Sequence, residues 1–202
     1  MLIDVPDVRM ADAVAVLATV ALVEEVDAAD LDRPTPCAGW HLRDLLAHMT
    51  AQHHGFAAAA AGRGSDPEVW RTPALTEDPV RAYTAAAREV LAAFAPDDVL
   101  DREFTLPGGG AVHTVPGRLA VGFHLVDYVA HGWDVARARG VAWELPAIVL
   151  GAALPIAEAV PDDATRSAPG APFAPRRPAT GDDPLDRIVA LLGRRPDWRS
   201  PG

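Results

Sequence analysis

At 202 residues, 50% of them hydrophobic, the chain is long enough for one domain with a sizeable core. Its net charge of −10, from 28 acidic and 18 basic residues spread along the sequence, argues against nucleic acid and anionic membrane surfaces as partners. The single cysteine, Cys37, cannot close an internal disulfide and suits a reducing cytoplasm. The opening MLIDVPDVRM lacks the basic-then-apolar pattern of a signal peptide. The apolar run Ala11–Val23 contains Asp12 and is too short to span a bilayer. The expected location is cytoplasmic.

The first helix is expected from about Asp7 to Ala28, with Met10, Val14, Leu17 and Ala21 on one stripe. Pro34 and Pro36 break it in the linker 30–38. A second helix is expected over His41–Ala61, where Leu42, Leu45, Leu46, Met49 and Phe56 repeat at the spacing of a core face. His48 lies at the edge of that face, where a neighbouring helix would approach, and Asp44 complements the helix dipole. After a Gly- and Pro-rich loop, the third helix is expected to open at Thr76, whose hydroxyl can cap it, with Glu77, Asp78 and Pro79 in its first turn. Its buried stripe is Tyr83, Ala87, Val90, Leu91 and Phe94. Residues Asp101–Leu106 and Ala111–Val115 read as a hairpin around Pro107 and three glycines.

The fourth helix, Pro116 to Gly140, is the informative one. Its apolar residues, Leu119, Val121, Phe123, Leu125, Val126, Tyr128, Val129, Trp133 and Val135, point in nearly every direction, as in a buried helix. Arg137, Arg139 and Gly140 close it. Beyond it, Leu145–Val160 is apolar and helical in pattern, with Pro155 expected to kink it. Residues 161–184 are Pro-rich and irregular, and Leu185–Leu192 reads as a short terminal helix.

Within the fourth helix, His124, Asp127, His131 and Asp134 follow a 3-4-3 spacing that stacks them on one face. Two imidazoles and two carboxylates on a buried helix cost free energy unless they are paired. Asp127 and His131, at i and i+4, can reach one divalent ion from the same side, and His48 is the best third ligand from another helix. The alternative is a metal-free hydrogen-bond network. His124 reads as a substitute ligand, an outer donor, a substrate contact or a packed core histidine. Asp134 can orient His131 or make a helix-packing hydrogen bond.

Trp40 and Trp133 read as core aromatics, and Cys37 as a buried structural cysteine with no base assigned beside it. Of His53 and His54, which face different ways, His54 reads as solvated. Arg176 and Arg177 are by default a solvated pair. No phosphate loop, CxxC or HExxH occurs, and no serine has a GxSxG setting.

The blocks TPCAGWHLRDLLAHMTAQHHGFAAAAAG (Thr35–Gly62) and HLVDYVAHGWDVARARG (His124–Gly140) together resemble the mycothiol-dependent maleylpyruvate isomerase-like family of the DinB/YfiT-like superfamily. The phrases GAPFAP and DRIVALLGRRPDW resemble its closing segments. The resemblance implies a mainly α fold. It would be a DinB/YfiT-like four-helix bundle with a short β-hairpin between helices three and four and a C-terminal helical, Pro-rich appendage. Residues 1–144 would be the bundle, and 145–202 an extension packing on it within the same domain. The implied metal ligands are His48, Asp127 and His131, zinc being the leading ion, with His124 and Asp134 in supporting roles. Family isomerases carry Glu where this chain has Asp127, and His41 stands where a capping residue is expected.

The implied function is a metal-dependent, thiol-using enzyme. It would be a mycothiol-dependent isomerase or S-transferase acting on a small electrophile, with mycothiol as cosubstrate and a homodimer as an allowed assembly. The alternative is a non-catalytic metal- or small-ligand-binding module of the same fold.

Overall fold

The computed structural model describes residues 7–72, 78–108, 110–168, 171–179 and 181–200. Four helices form a bundle: α1 (Val8–Glu24), α2 (Leu42–Ala60), α3 (Pro79–Phe94) and α4 (Gly117–Arg139). Helices α1 and α2 each pack against both α3 and α4. Strands β1 (Glu103–Gly108) and β2 (Ala111–Pro116) form an antiparallel hairpin between α3 and α4. After the bundle come α5 (Ala147–Ala159) and α6 (Pro184–Leu191). The fold is thus mainly helical with one small sheet, as the sequence pattern and the resemblance imply.

Helix α4 is the centre. Of its 23 residues, 17 are buried, including His124, His131 and Asp134. It has neighbours on all sides. One cluster joins Leu125, Val129 and Trp133 to Ala11 and Ala15 of α1 and to Val149, Ala153, Ile188 and Val189 of α5 and α6. A second joins Tyr128 and Val135 to Leu42, Leu45 and Met49 of α2 and Tyr83 of α3. A third packs Ala120 and Val121 against Phe56, Phe94 and Phe104 under the hairpin. Full burial of an aliphatic side chain such as Ile188 contributes about 1.5–3 kcal/mol, so the C-terminal helices are stably seated on α4. Gly140 ends α4 at φ +72°, a left-handed conformation open to glycine at no steric cost.

Several boundaries differ from the sequence reading. Helix α1 stops at Glu24, not Ala28. Asp27 Oδ1 accepts from the amides of Ala29 and Asp30, turning the chain away. Arg139 at the end of α4 then bonds the carbonyls of Leu22 and Glu25, satisfying groups that a continuing helix would have used. Helix α3 opens at Pro79, with the Asp78 carboxylate capping Arg81 N–H at 2.9 Å. Thr76 and Glu77 lie outside the described residues. The strands are shifted: Asp101 precedes the sheet, while Pro107 and Gly108 belong to β1, Gly108 pairing with Ala111. Helix α5 begins after Pro146 and runs on through Pro155.

The start of α2 is well held despite its histidine. His41 N–H donates to Asp44 Oδ2 at 2.9 Å, and Leu42 N–H donates to Arg33 O at 2.9 Å. Asp44, at the third helical position, thus satisfies the backbone N–H of His41 by the reciprocal half of a capping box.

Candidate metal centre

His48 on α2 and Asp127 and His131 on α4 come together. They offer ligand atoms that all lie within 4.8 Å of one another. One turn of α4 separates Asp127 from His131 and brings Asp127 Oδ1 to 3.4 Å from His131 Nε2. His48 approaches from the facing helix, its ring 5.2 Å from that of His131, centroid to centroid. Trp40, from the segment before α2, flanks His48 with ring centroids 5.0 Å apart. It borders the site as a half-buried residue, not as the core aromatic expected of it.

The other nitrogen of His131 faces a second group. Nδ1 lies 3.0 Å from Asp134 Oδ2. The same oxygen accepts from Arg194 Nη2 at 3.0 Å and from Cys37 Sγ at 3.3 Å. Cys37 is therefore half-buried and bonded to a carboxylate, a correction to the reading of a buried structural cysteine with no base assigned beside it. Arg194 escaped the sequence reading altogether. It follows Gly193, which turns the chain beyond α6 at φ +85° with Ala174 O packed where a Cβ would sit. A glycine followed by arginine after a helix is a weak signal, and no spacing rule connects it to a helix 60 residues earlier.

His124 belongs elsewhere. It is fully buried, with Nδ1 2.7 Å from Asp12 Oδ1 on α1 and Nε2 3.2 Å from His53 Nδ1 on α2. The four-residue row on α4 thus divides: Asp127 and His131 face His48, Asp134 turns to Arg194 and Cys37, and His124 turns to Asp12. His54 is exposed, 2.7 Å from Glu89, and Arg176 is bonded to the carbonyls of Glu158 and Val160, so it is not simply solvated.

Electrostatics separates the two groups around His131. Burial opposes charge on its imidazole, but Asp127 and the hydrogen bonds with Asp134 and Cys37 outweigh this and raise its pKa to about 10. Burial likewise opposes the Asp134 carboxylate, yet Arg194 and then His131 hold it at about 2. Burial of His48, reinforced by His131, lowers its imidazole to about 4, leaving it neutral with a lone pair free.

Cys37, His131 and Asp134 also stand close enough to hold a cation. There the Arg194 guanidinium already neutralises Asp134. Among the described residues Asp127 has no guanidinium bonded to it, only the His131 imidazolium 3.4 Å from Oδ1, and its Oδ2 is buried without a hydrogen-bond partner among them. A carboxylate oxygen without a partner, grouped with a neutral imidazole, suits a divalent ion. The field that keeps a proton on His131 favours exchanging that proton for a metal ion.

A family model described as the mycothiol maleylpyruvate isomerase N-terminal domain matches residues 13–136. The chain belongs to this family. Two uncharacterized proteins from two strains of Mycobacterium tuberculosis are each 32% identical over 175 residues, covering 86% of this chain and 90% of the relative. Among solved structures, the crystal structure of the mycothiol-dependent maleylpyruvate isomerase aligns with a TM-score of 0.55 at 15% identity. A mutant of that enzyme aligns at 0.57 and 14%. Each alignment covers 74% of this chain and 68% of the other, and the likeness shows the fold. The span matched by the mycothiol maleylpyruvate isomerase N-terminal domain contains Cys37, His48, Asp127, His131 and Asp134. It ends before Arg194, so one partner of the site comes from beyond the family domain. No helix among the described residues is long and apolar enough to cross a membrane.

Proposed function

We propose that this protein is a metal-dependent enzyme that uses a low-molecular-weight thiol, mycothiol being the thiol that the family points to, against a small electrophile. His48, Asp127 and His131 hold a divalent ion, zinc by its preference for imidazole, carboxylate and thiolate donors. When bound, such an ion favours the thiolate form of an arriving thiol.

The chain's own residues do the rest. Neutral His48 offers a lone pair without first losing a proton. Asp134 accepts at Nδ1 of His131, fixing the tautomer that leaves Nε2 toward Asp127 and His48. Arg194 keeps Asp134 ionised for that task. Three protein donors leave coordination positions for thiol and substrate. Addition of the thiolate across an activated C=C bond breaks its π bond and leaves an enolate; protonation at carbon gives a stable conjugate, whereas rotation about the new single bond and expulsion of the same thiolate gives an isomerised product.

The observation that carries this reading is the Asp127 carboxylate, grouped with two imidazoles while its buried Oδ2 has no hydrogen-bond partner among the described residues. The test is elemental analysis of protein purified without chelators, with thiol-dependent assays on a panel of electrophiles. Activity is expected in the metal-loaded protein and its loss in His48→Ala, His131→Ala and chelated protein. Activity unchanged in all three would remove the proposal. Ligand-induced stabilisation without bound metal would favour a binding module instead.

A further inference from the structure

The metal reading leaves a buried polar stack unused. Asp12, His124, His53 and Tyr128 form a continuous set in the bundle core, all between 0% and 1% exposed. Tyr128 lies against His53 with ring centroids 4.0 Å apart and planes inclined by 13°, and against His124 at 4.3 Å. His124 is fixed in turn by Asp12 on α1. The phenol ring is thus held from two sides, and its hydroxyl donates to the carbonyl oxygen of Met49 on α2.

Tyr128 follows Asp127 in the chain, and Met49 follows His48. The bond therefore ties α4 to α2 one residue beyond each of two metal ligands. Among the described residues, two side-chain hydrogen bonds join these helices, this one and His53 to His124. The latter lies a full turn further along α2, away from His48.

We infer that Tyr128 is a positioning residue for the metal centre, its hydroxyl setting the separation of His48 from Asp127. The inference rests on the metal reading and adds a function for the stack. Metal ions tolerate only small deviations in ligand distance, and groups that fix ligands from outside typically change affinity 10- to 100-fold. Asp127 carries a short side chain, which leaves little reach to absorb a shift of α2. The Asp12, His124 and His53 stack serves the same end by locking the phenol ring so that the hydroxyl meets Met49 O in one geometry.

The test is zinc affinity of the full chain, measured by competition with a chromophoric chelator. Tyr128→Phe keeps the ring and removes the hydroxyl, and the Met49 carbonyl retains its place in the α2 hydrogen-bond ladder, so the fold should survive. Thr84→Val is the control: it removes another buried hydroxyl, one bonded within α3 to Val80 O. Tyr128→Phe is expected to weaken zinc binding about tenfold while Thr84→Val stays at the wild-type value. Equal affinity in Tyr128→Phe and wild type, or equal losses in both variants, would overturn the inference. Wild-type protein that binds no zinc would instead overturn the metal reading itself. Should Tyr128→Phe not fold, a zinc-loaded wild-type structure decides: Tyr128 Oη within hydrogen-bond distance of Met49 O supports the inference, and separation beyond it sinks it.

Discussion

Replacing Arg194 with methionine removes the cation that Asp134 depends on while keeping much of the aliphatic stem. Asp134 is fully buried, and Arg194 is the largest influence holding its carboxyl at about 2 instead of 3.8 against the opposing effect of burial. At 1.36 kcal/mol per pH unit, that displacement is worth roughly 2 kcal/mol of native stability at neutral pH. The sign is that of a lowered carboxylate: the contribution is present above pH 3.8 and is lost as pH falls toward 2. The mutation does more than forfeit this amount, because it strands a buried carboxylate with only the imidazole of His131 and the Cys37 thiol as partners. Breaking a buried pair from one side costs about 3–5 kcal/mol, and His131 offsets part of it. The expected loss for Arg194→Met is about 3 kcal/mol, read from urea unfolding of the chelated protein at pH 7. Adding Asp134→Asn should recover at least half of it, since the neutral amide needs no counter-charge and can still accept from His131. A loss below about 0.5 kcal/mol, the range of an ordinary surface change, or a double mutant less stable than Arg194→Met, would refute the reasoning.

Gly132→Ala should destabilise the protein by about 1–3 kcal/mol, because its Cβ would fall 2.3 Å from the Trp143 indole and 2.8 Å from Thr19 Cγ2; thermal unfolding checks it. Asp127→Asn should bind zinc at least tenfold more weakly than wild type by chelator competition, since an amide supplies neither the charge nor the donor strength of the carboxylate. Burial, then His124, holds the His53 imidazole well below 6.5, so the native state resists its protonation. Its contribution is complete above pH 6.5 and declines as pH falls, by up to about 1.4 kcal/mol per pH unit. Asp12, raised by burial, works in the opposite direction, so the measurement is the difference between wild type and His53→Phe in urea midpoint from pH 7.5 to 5.5. That difference should shift steadily in favour of the variant as pH falls, and a constant difference would contradict it.

What could be read from the sequence follows the range over which each signal acts. The bundle helices announce themselves through periodicities of three and four residues, a property of one helix at a time. Asp127 and His131 share a face for the same local reason, and His48 was legible because it sits at the edge of a core stripe where a second helix must come. Of the other two members, Asp134 still bonds His131 one turn away, while His124 leaves the group as a packed core histidine. A 3-4-3 row drifts around a helix with 3.6 residues per turn, so over ten residues it meets different neighbours. His124 meets Asp12 of α1, while Asp134 meets Arg194 beyond α6.

Which neighbour a polar residue finds depends on the approach of distant elements, and no spacing encodes that. The sequence leaves Asp134 two alternatives, orienting His131 or bonding a packed helix. The structure gives it the first, with a cation the sequence offered no reason to bring there. That cation also discriminates between the two groups sharing His131. Each has one nitrogen of His131 and a carboxylate; one adds the Cys37 thiol and the other the His48 imidazole, and by donor softness alone the thiol would favour the first for zinc. Because Arg194 already meets the charge of Asp134, the proposed ion is placed on the side of His131 that faces His48, where the carboxylate, Asp127, has no guanidinium bonded to it among the described residues.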